Sequence, residues 1–495
     1  MITDKNPWLI LAIVSTGLLL IGVDMTVLNV ALPVLAHELG ATTAEKLWMV
    51  NAYSLVMAGL LPGCGTLSDR IGHRRMFVVG LAVFGTASTF AAFAPTPGAL
   101  IASRAVLAIG AAVMLPATIS IIRVVFTQNH QRAVAIGIWG SVSAGAAALG
   151  PILGGFLLEH FWWGSVFLIN VPVVIVTLVL TFANIPALAG NPDRHWDAPT
   201  SAVLTASLVA LLYALKGILK ADIHWDEVAA AFVCGVTFFW WFIRRQRVLS
   251  STLIDFTLFR NAGFSIGAAG ALFASFVMIG LQYVLSQKLQ LVDDFTPLQA
   301  GLYVLPIAAG SFIAGPTLGA VLFRVGISRM LALTLGLAAI GLTLFTLTNS
   351  ATPLLWQVAT LTVAGFGLGG IMSVGSTSIM INAPEEKAGM AGALEGISYE
   401  LGGTLGVAVM GSVIASIYAQ SFAPPSEVGL APSAWDSLDQ TLTAAAKLGG
   451  NLGSQVIEAG KAAFIDGVST VMIGSSVLVI ALFIMMVLYD RKNVA

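Results

Sequence analysis

Fourteen runs of about 20 mostly apolar residues, each the length that crosses a bilayer as an α-helix, follow one another along the whole chain. The first eight lie near residues 8–32, 47–67, 76–94, 99–121, 133–157, 164–186, 199–217 and 228–243. The last six lie near 262–287, 297–322, 327–347, 353–378, 388–419 and 466–489. Of 495 residues, 57% are hydrophobic and 9% charged, whereas soluble domains carry about 25% charged residues. With a mean hydropathy of +0.92, the chain cannot clothe itself in polar surface. An all-α integral membrane protein is therefore expected. Its 51 glycines suit helices that pack closely in lipid. The first run follows Lys5 like a signal peptide but is too long and lacks a small-residue cleavage site, so it reads as a retained span. The two cysteines, Cys64 and Cys234, fall in apolar runs and imply neither a disulfide framework nor a metal site.

An even number of spans puts both termini on one side. Sixteen of the 23 Lys and Arg residues fall on that side, so both termini are expected in the cytoplasm and the protein in the cytoplasmic (inner) membrane. GTLSDRIGHRR (65–75) follows the second span and GAVLFRVGISR (319–329) the tenth. Gly65, Arg70, Gly72 and Arg75 align with Gly319, Arg324, Gly326 and Arg329. The plan is two six-span units with two spans inserted between them: 1–190, 191–250 and 251–495. Paired bundles with a binding site between them near the midplane are a transporter architecture. The longest polar loop, 420–465, has helix formers around a Gly-rich break and reads as an external helical hairpin, either a plain connector or a gate cover.

Several of these motifs resemble the major facilitator superfamily. GTLSDRIGHRR looks like its cytoplasmic loop motif, and VDMTVLNVALP (23–33) like the first-span motif of its drug:proton antiporters. LGPILGG (149–155) resembles the antiporter motif of the fifth span; FLINVP (167–172) and LIDFTLFRN (253–261) are typical of the fourteen-span branch. LWMVNAYSLVMAGLLP and YELGGTLGVAVMGS look closer still to its QacA-like multidrug exporters. The resemblance implies the major facilitator fold with a central cavity, and proton-coupled export of lipophilic cations, dyes and quaternary ammonium biocides by alternating access. This chain departs from that pattern. Asn51 and Ser311 stand where such exporters carry acids, WWG replaces WRW before the sixth span, and Leu107 and Ala108 replace a Gln and a Gly.

The residues themselves point to the same chemistry. Asp24 lies about 24 Å along its helix from Trp8, deep in a run with no other charge. An ionised acid at that depth costs at least about 2.5–3.5 kcal/mol, so it must face protein, water or a cation. An acid that alternates between a proton and a cargo cation is what a proton-coupled cation carrier requires. The thirteenth span carries Glu395 and Glu400, about 9 and 16 Å from Gly389 and about 140° apart around the helix. Asp24 and Glu400 are the expected titrating cation site, with Glu395 auxiliary; a fixed hydrogen-bond anchor is the plainer alternative for each. Asn51, Tyr53, Met57, Trp139, Met278, Tyr283 and Tyr399 are candidates for the cavity wall, since aromatic faces attract cations and Met adapts to varied shapes.

Arg104, near the outer end of the fourth span, either helps a nearby acid shed its proton or snorkels to the interface. Gly65, Asp69, Arg70, Gly72, Arg74 and Arg75 are expected to form a cytoplasmic loop latch. Gly150, Pro151, Gly154 and Gly155 either seal the pathway between bundles or simply permit tight packing.

Other functions find little support. GFGLGG (365–370) matches a dinucleotide fingerprint in form but lies inside an apolar span with no preceding strand. There is no Walker loop, and the six histidines are scattered without zinc spacing. We therefore expect no enzyme activity, no cofactor beyond protons as coupling ion, no metal, no nucleotide and no nucleic acid. The partners expected are small lipophilic cations and the bilayer, with the protein acting as a monomer. A same-fold carrier of another cargo (a lipid, siderophore or amino acid) and a channel or sensor are the competing readings.

Overall fold

The computed structural model describes residues 6–494, apart from 187–189, 191–196, 219–222, 249–253, 349–351, 385–387, 425–434 and 436. Some side chains within helices, Asp69 and Phe323 among them, also lie outside the description. The chain forms α1 (Pro7–Leu39), α2 (Thr43–Ile71), α3 (His73–Ala92), α4 (Pro97–Val125), α5 (Asn129–His160), α6 (Ser165–Leu168), α7 (Asn170–Asn184) and α8 (Ala198–Ile218). After these come α9 (Trp225–Val248), α10 (Ala262–Leu291), α11 (Pro297–Val325), α12 (Ile327–Thr346), α13 (Leu354–Asn382), α14 (Ala388–Ser421), α15 (Leu438–Leu448) and α16 (Gly450–Val494). Among the described residues thirteen segments are long and apolar enough to cross a membrane, α6 and α7 together making one of them. The expected fifth span, α5, is a further 32-residue helix. The protein is a multi-pass, all-helical membrane protein, an architecture that satisfies every backbone group inside lipid.

Local sequence explains where helices start and stop. Asn6 caps α1 with Pro7 at its first turn, a position that tolerates proline because its missing N–H has no helical partner. A left-handed Gly40 ends α1, and three residues later α2 begins. The internal repeat is also visible in the backbone. α2 opens on a Thr42–Glu45 capping box and α11 on a Thr296–Gln299 box. Gly72 (φ 105°) and Gly326 (φ 89°) then each close one helix and open the next. Both aligned glycines adopt a φ that L side chains avoid, so the repeat preserves a turn rather than a mere composition.

Helices α1–α7 pack on one another, notably α3 on α4, α2 on α4 and α1 on α5. So do α10–α14 and α16, through α10–α14, α11–α13 and α12–α13. Glycines permit the close approach: a Cβ on Gly110 would lie 2.7 Å from the backbone nitrogen of Phe84, and one on Gly406 2.2 Å from the Phe276 carbonyl. We call the face where α1 begins the near face and its opposite the far face. The two groups meet through α5–α11 and α2–α14. Their closest approaches at glycines lie towards the far face, where an added Cβ would meet Leu298 at 2.3 Å from Gly155, Pro151 at 2.4 Å from Gly301 and Leu47 at 2.6 Å from Gly411. Towards the near face, a Cβ added at Gly396 would meet Leu61 at an ordinary 3.4 Å.

The inserted helices α8 and α9 pair with each other, and α8 leans on α2. Leu212 of α8 packs with Leu55 of α2 and Ala408 of α14, which places the insertion at the seam between the groups. α9 lies outside it, with Phe232, Trp240 and Trp241 exposed. Within the polar loop, where 425–434 and 436 lie outside the described residues, α15 packs against α16, and the start of α16 is no separate short helix. After a bend at Gly449 and Gly450 (φ 64° and 58°), α16 runs unbroken for 45 residues into the last span.

Candidate functional site

Asp24 is wholly buried (0% exposed) at the middle of α1. Its partner is Arg104 of α4, which is 2% exposed and donates Nη1–H to Asp24 Oδ2 in an ion pair. Arg104 therefore turns inward instead of snorkelling. Its Nε–H donates to the Met49 carbonyl at 3.2 Å, and its guanidinium carbon sits 4.7 Å from the centre of the Tyr53 ring. On the other side Asn170, at the start of α7, donates to Asp24 Oδ1 at 3.3 Å and to Ser88 Oγ at 3.2 Å. Three helices, α1, α4 and α7, thus meet at one carboxylate, with α2 behind Arg104 and α3 behind Asn170. In this arrangement Asp24 is occupied by an internal cation and has no open face for a cargo cation.

Glu400 of α14 is 6% exposed. Ser54 hydrogen-bonds to it, and Arg104 lies near enough to act on it electrostatically. Its Oε2 has no hydrogen-bond partner. Tyr53 and Ser54 are consecutive on α2, so one turn of that helix serves both carboxylates: Tyr53 underlies the Arg104–Asp24 pair and Ser54 holds Glu400. The Tyr53 hydroxyl, both polar atoms of Asn51 and Thr404 Oγ1 are buried without a partner as well. Buried polar atoms are nearly always satisfied, so this cluster around the α2–α14 seam is unusual.

The remaining expected residues divide. Glu395 is half-buried on another side of α14 and accepts a hydrogen bond from the Tyr399 hydroxyl at 2.9 Å. That hydroxyl also lies 3.2 Å from the Met372 carbonyl of α13. Glu395 and Tyr399 therefore face α13 rather than the Asp24–Glu400 cluster. Met57 is buried in the core; Met278 and Trp139 are half-buried, with the Trp139 indole N–H donating to Thr118 Oγ1 at 3.1 Å. Tyr283 lines a separate pocket near the far face.

At the near face lie the residues expected to form the latch. Arg74 donates to the Phe182 carbonyl of α7 at 3.2 Å and stacks on the Phe182 ring, 5.4 Å from its centre. Arg70 and Arg75 are exposed, and space for a Cβ is open at Gly65. The Asp69 side chain lies outside the described residues, as does Phe323, its counterpart in the repeat. In α5, Gly150 and Gly154 seat against Thr26 and Val27 of α1, one turn from Asp24, while Gly155 and Pro151 seat α11. The motif touches both helix groups at once.

Sequence reasoning missed Asn170 and Ser54 as partners of the acids, and Ser88 as the partner of Asn170. Asn170 lies inside the FLINVP motif, so a signal for it existed. It also missed Lys46 and Asp439, which meet near the far face 3.5 Å apart. Among the described residues no cluster could hold a metal ion.

Fold and site together define a helical membrane carrier with a buried ion pair inside one helix group and a second buried carboxylate, Glu400, at the seam with the other. The chain matches the family model of the Major Facilitator Superfamily over residues 14–407 and belongs to that family. It is 36% identical over 481 residues to the methyl viologen resistance protein SmvA of Salmonella typhimurium, covering 96% of this chain and 97% of that one. It is 34% identical over 484 residues to the multidrug efflux pump LfrA of Mycolicibacterium smegmatis, covering 97% and 95%. Among solved structures, a bacterial homolog of the human lysosomal transporter Spinster in an inward-facing, unoccupied conformation matches with a TM-score of 0.67. Its identity is 18%, and the match covers 99% of each chain, which supports the fold alone.

Proposed function

We propose that this protein is a proton-coupled antiporter that exports lipophilic cationic drugs, dyes and quaternary ammonium biocides by alternating access. It works as a monomer in the cytoplasmic membrane, with the near face and both termini in the cytoplasm. The units 1–190 and 251–495 are the two moving bundles, and 191–250 holds the inserted pair at their seam. The observation that carries this reading is the buried Asp24–Arg104 pair set beside a second buried carboxylate, Glu400, with one oxygen unpartnered. The similarity to proteins named for methyl viologen resistance and multidrug efflux supports an organic cargo moving outward.

The coupling follows from charge. With Asp24 ionised, Arg104 is neutralised, and Glu400 is free to attract a cation. A proton arriving at Asp24 removes Arg104's counter-charge. The guanidinium, which keeps its proton under all working conditions, then acts on Glu400 and disfavours the cation held there. Proton and cargo thus compete through Arg104 rather than for a single carboxylate. The loose near-face contacts and tight far-face contacts fit a cytoplasm-facing state awaiting cargo. Arg74 on Phe182 and the glycine seats of α5 are elements that must re-form as the bundles rock.

Reconstituted vesicles with an imposed pH gradient test this reading. Ethidium or a quaternary ammonium dye is expected to move against the proton flux and to stop on adding a protonophore. Transport indifferent to the gradient contradicts it.

A further inference from the structure

Near the far face a pocket lies between α2, α10 and α14, roofed by α15 and the start of α16. The central site does not account for its lining. Asp439 of α15 and Lys46 of α2 both project into it, 7% and 4% exposed. The Lys46 ammonium is 3.5 Å from Asp439 Oδ2 and 3.5 Å from Ser437 Oγ. Three rings, Tyr283, Tyr418 and Phe464, form much of the remaining wall. Tyr418 is held rigid by a 2.5 Å hydrogen bond to Thr441 and by stacking on Phe422. Gln287, 5% exposed, also lines the pocket with its Nε2 unpartnered, although a terminal amide offers either a donor or an acceptor.

A carboxylate sharing one pocket with aromatic rings is chemistry that suits organic cations, and here it already holds a cation, the Lys46 ammonium. We propose that this pocket is a second, exit-side site for an organic cation, in which the Lys46 ammonium is a resident stand-in that cargo displaces from Asp439. The proposal rests on the reading of the protein as an exporter of such cations. The stand-in has a physical reason. An isolated buried carboxylate is costly, so Asp439 needs a cation whenever α15 is closed and no cargo is passing. When cargo arrives, Asp439 exchanges one cation for another, and the displaced Lys46 ammonium has to reach the rim of the pocket. His37, 3.7 Å from Asp439 and largely exposed, stands at the rim and does not fill the pocket.

The enclosed space is about 40 Å³, and withdrawal of the Lys46 side chain adds to it, so the test uses a small organic cation and measures tetramethylammonium binding to the full-length protein in nanodiscs. A Glu400→Gln background silences the central site, so remaining binding reports the outer pocket. There, Lys46→Met is expected to tighten binding about tenfold, or about 1.4 kcal/mol, because the internal competitor is gone. Adding Asp439→Asn is expected to abolish that gain. Increased affinity is not a consequence of misfolding, so Lys46→Met remains informative even if Asp439→Asn loosens α15. Unchanged affinity on Lys46→Met, a gain that survives Asp439→Asn, or no binding in any of these variants overturns the exit site. The export reading fails separately, if Glu400→Gln leaves total binding and transport as in the wild type.

Discussion

At the scale of single residues, the site is an economy of one cation. Arg104 satisfies Asp24, stacks on Tyr53 and reaches the Met49 carbonyl. Replacing Arg104 by Gln leaves a buried, unpaired acid, and breaking one side of such a pair costs about 3–5 kcal/mol. We expect a marked fall in melting temperature and loss of gradient-driven export. The double variant Asp24→Asn/Arg104→Gln is expected to regain much of the stability but none of the export. A double-mutant cycle on melting and transport checks this, and additive losses contradict it. Tyr53→Phe keeps the ring beneath Arg104 and removes only an unpartnered hydroxyl, so stability is expected to hold. Tyr53→Leu removes the cation–π contact and is expected to lower stability by about 0.5–2 kcal/mol, measured by the same melts. The importance of Asp24 was legible, because a lone acid in an apolar run demands a partner. Which partner was not, since Arg104 lies 80 residues away and its reach could equally have run to the interface. Helix geometry already set Glu395 and Glu400 about 140° apart, and α14 gives them different partners.

At the scale of elements, helix seams carry the sharpest expectations. A side chain at Gly155 would collide with the backbone of Leu298, whereas Gly65 has open space. Gly155→Val is therefore expected to wedge α5 from α11 and abolish transport, while Gly65→Ala folds and melts like the parent. Comparable melts and transport for both variants would contradict the seam. The inserted pair is clipped by Arg245 to Asp197, at 2.8 and 3.0 Å. The hydrogen bond from Arg245 holds the Asp197 carboxyl below its ordinary 3.8. A depressed acid stabilises the fold above its unfolded value and loses that contribution as pH falls through the folded one. The α8–α9 pair is thus expected to loosen as pH drops below about 3.8, and Asp197→Asn to flatten that dependence, read by hydrogen exchange across α8. Span positions were legible because hydropathy and caps agree. The continuity of α16 was not, because its first turns are polar and the Gly449–Gly450 bend looks in sequence like an ordinary loop break.

At the scale of the whole molecule, the repeat placed two glycines in matching positions, readable from aligned letters, whereas the matching capping boxes at Thr42 and Thr296 came from the structure. The seat of the inserted helices was not readable either. Their sequence shows two apolar spans and nothing of the Leu55, Leu212 and Ala408 contact that fixes them at the seam. The same holds for the pocket under α15, whose two charged residues are nearly four hundred positions apart. The central claim is that a proton and an organic cation exclude one another through Asp24, Arg104 and Glu400. The most direct measurement is the proton count when ethidium is added to the purified, weakly buffered protein. The account predicts that cation binding releases protons in the wild type and none in Asp24→Asn. Ethidium bound at saturation with no proton released from the wild type would contradict it.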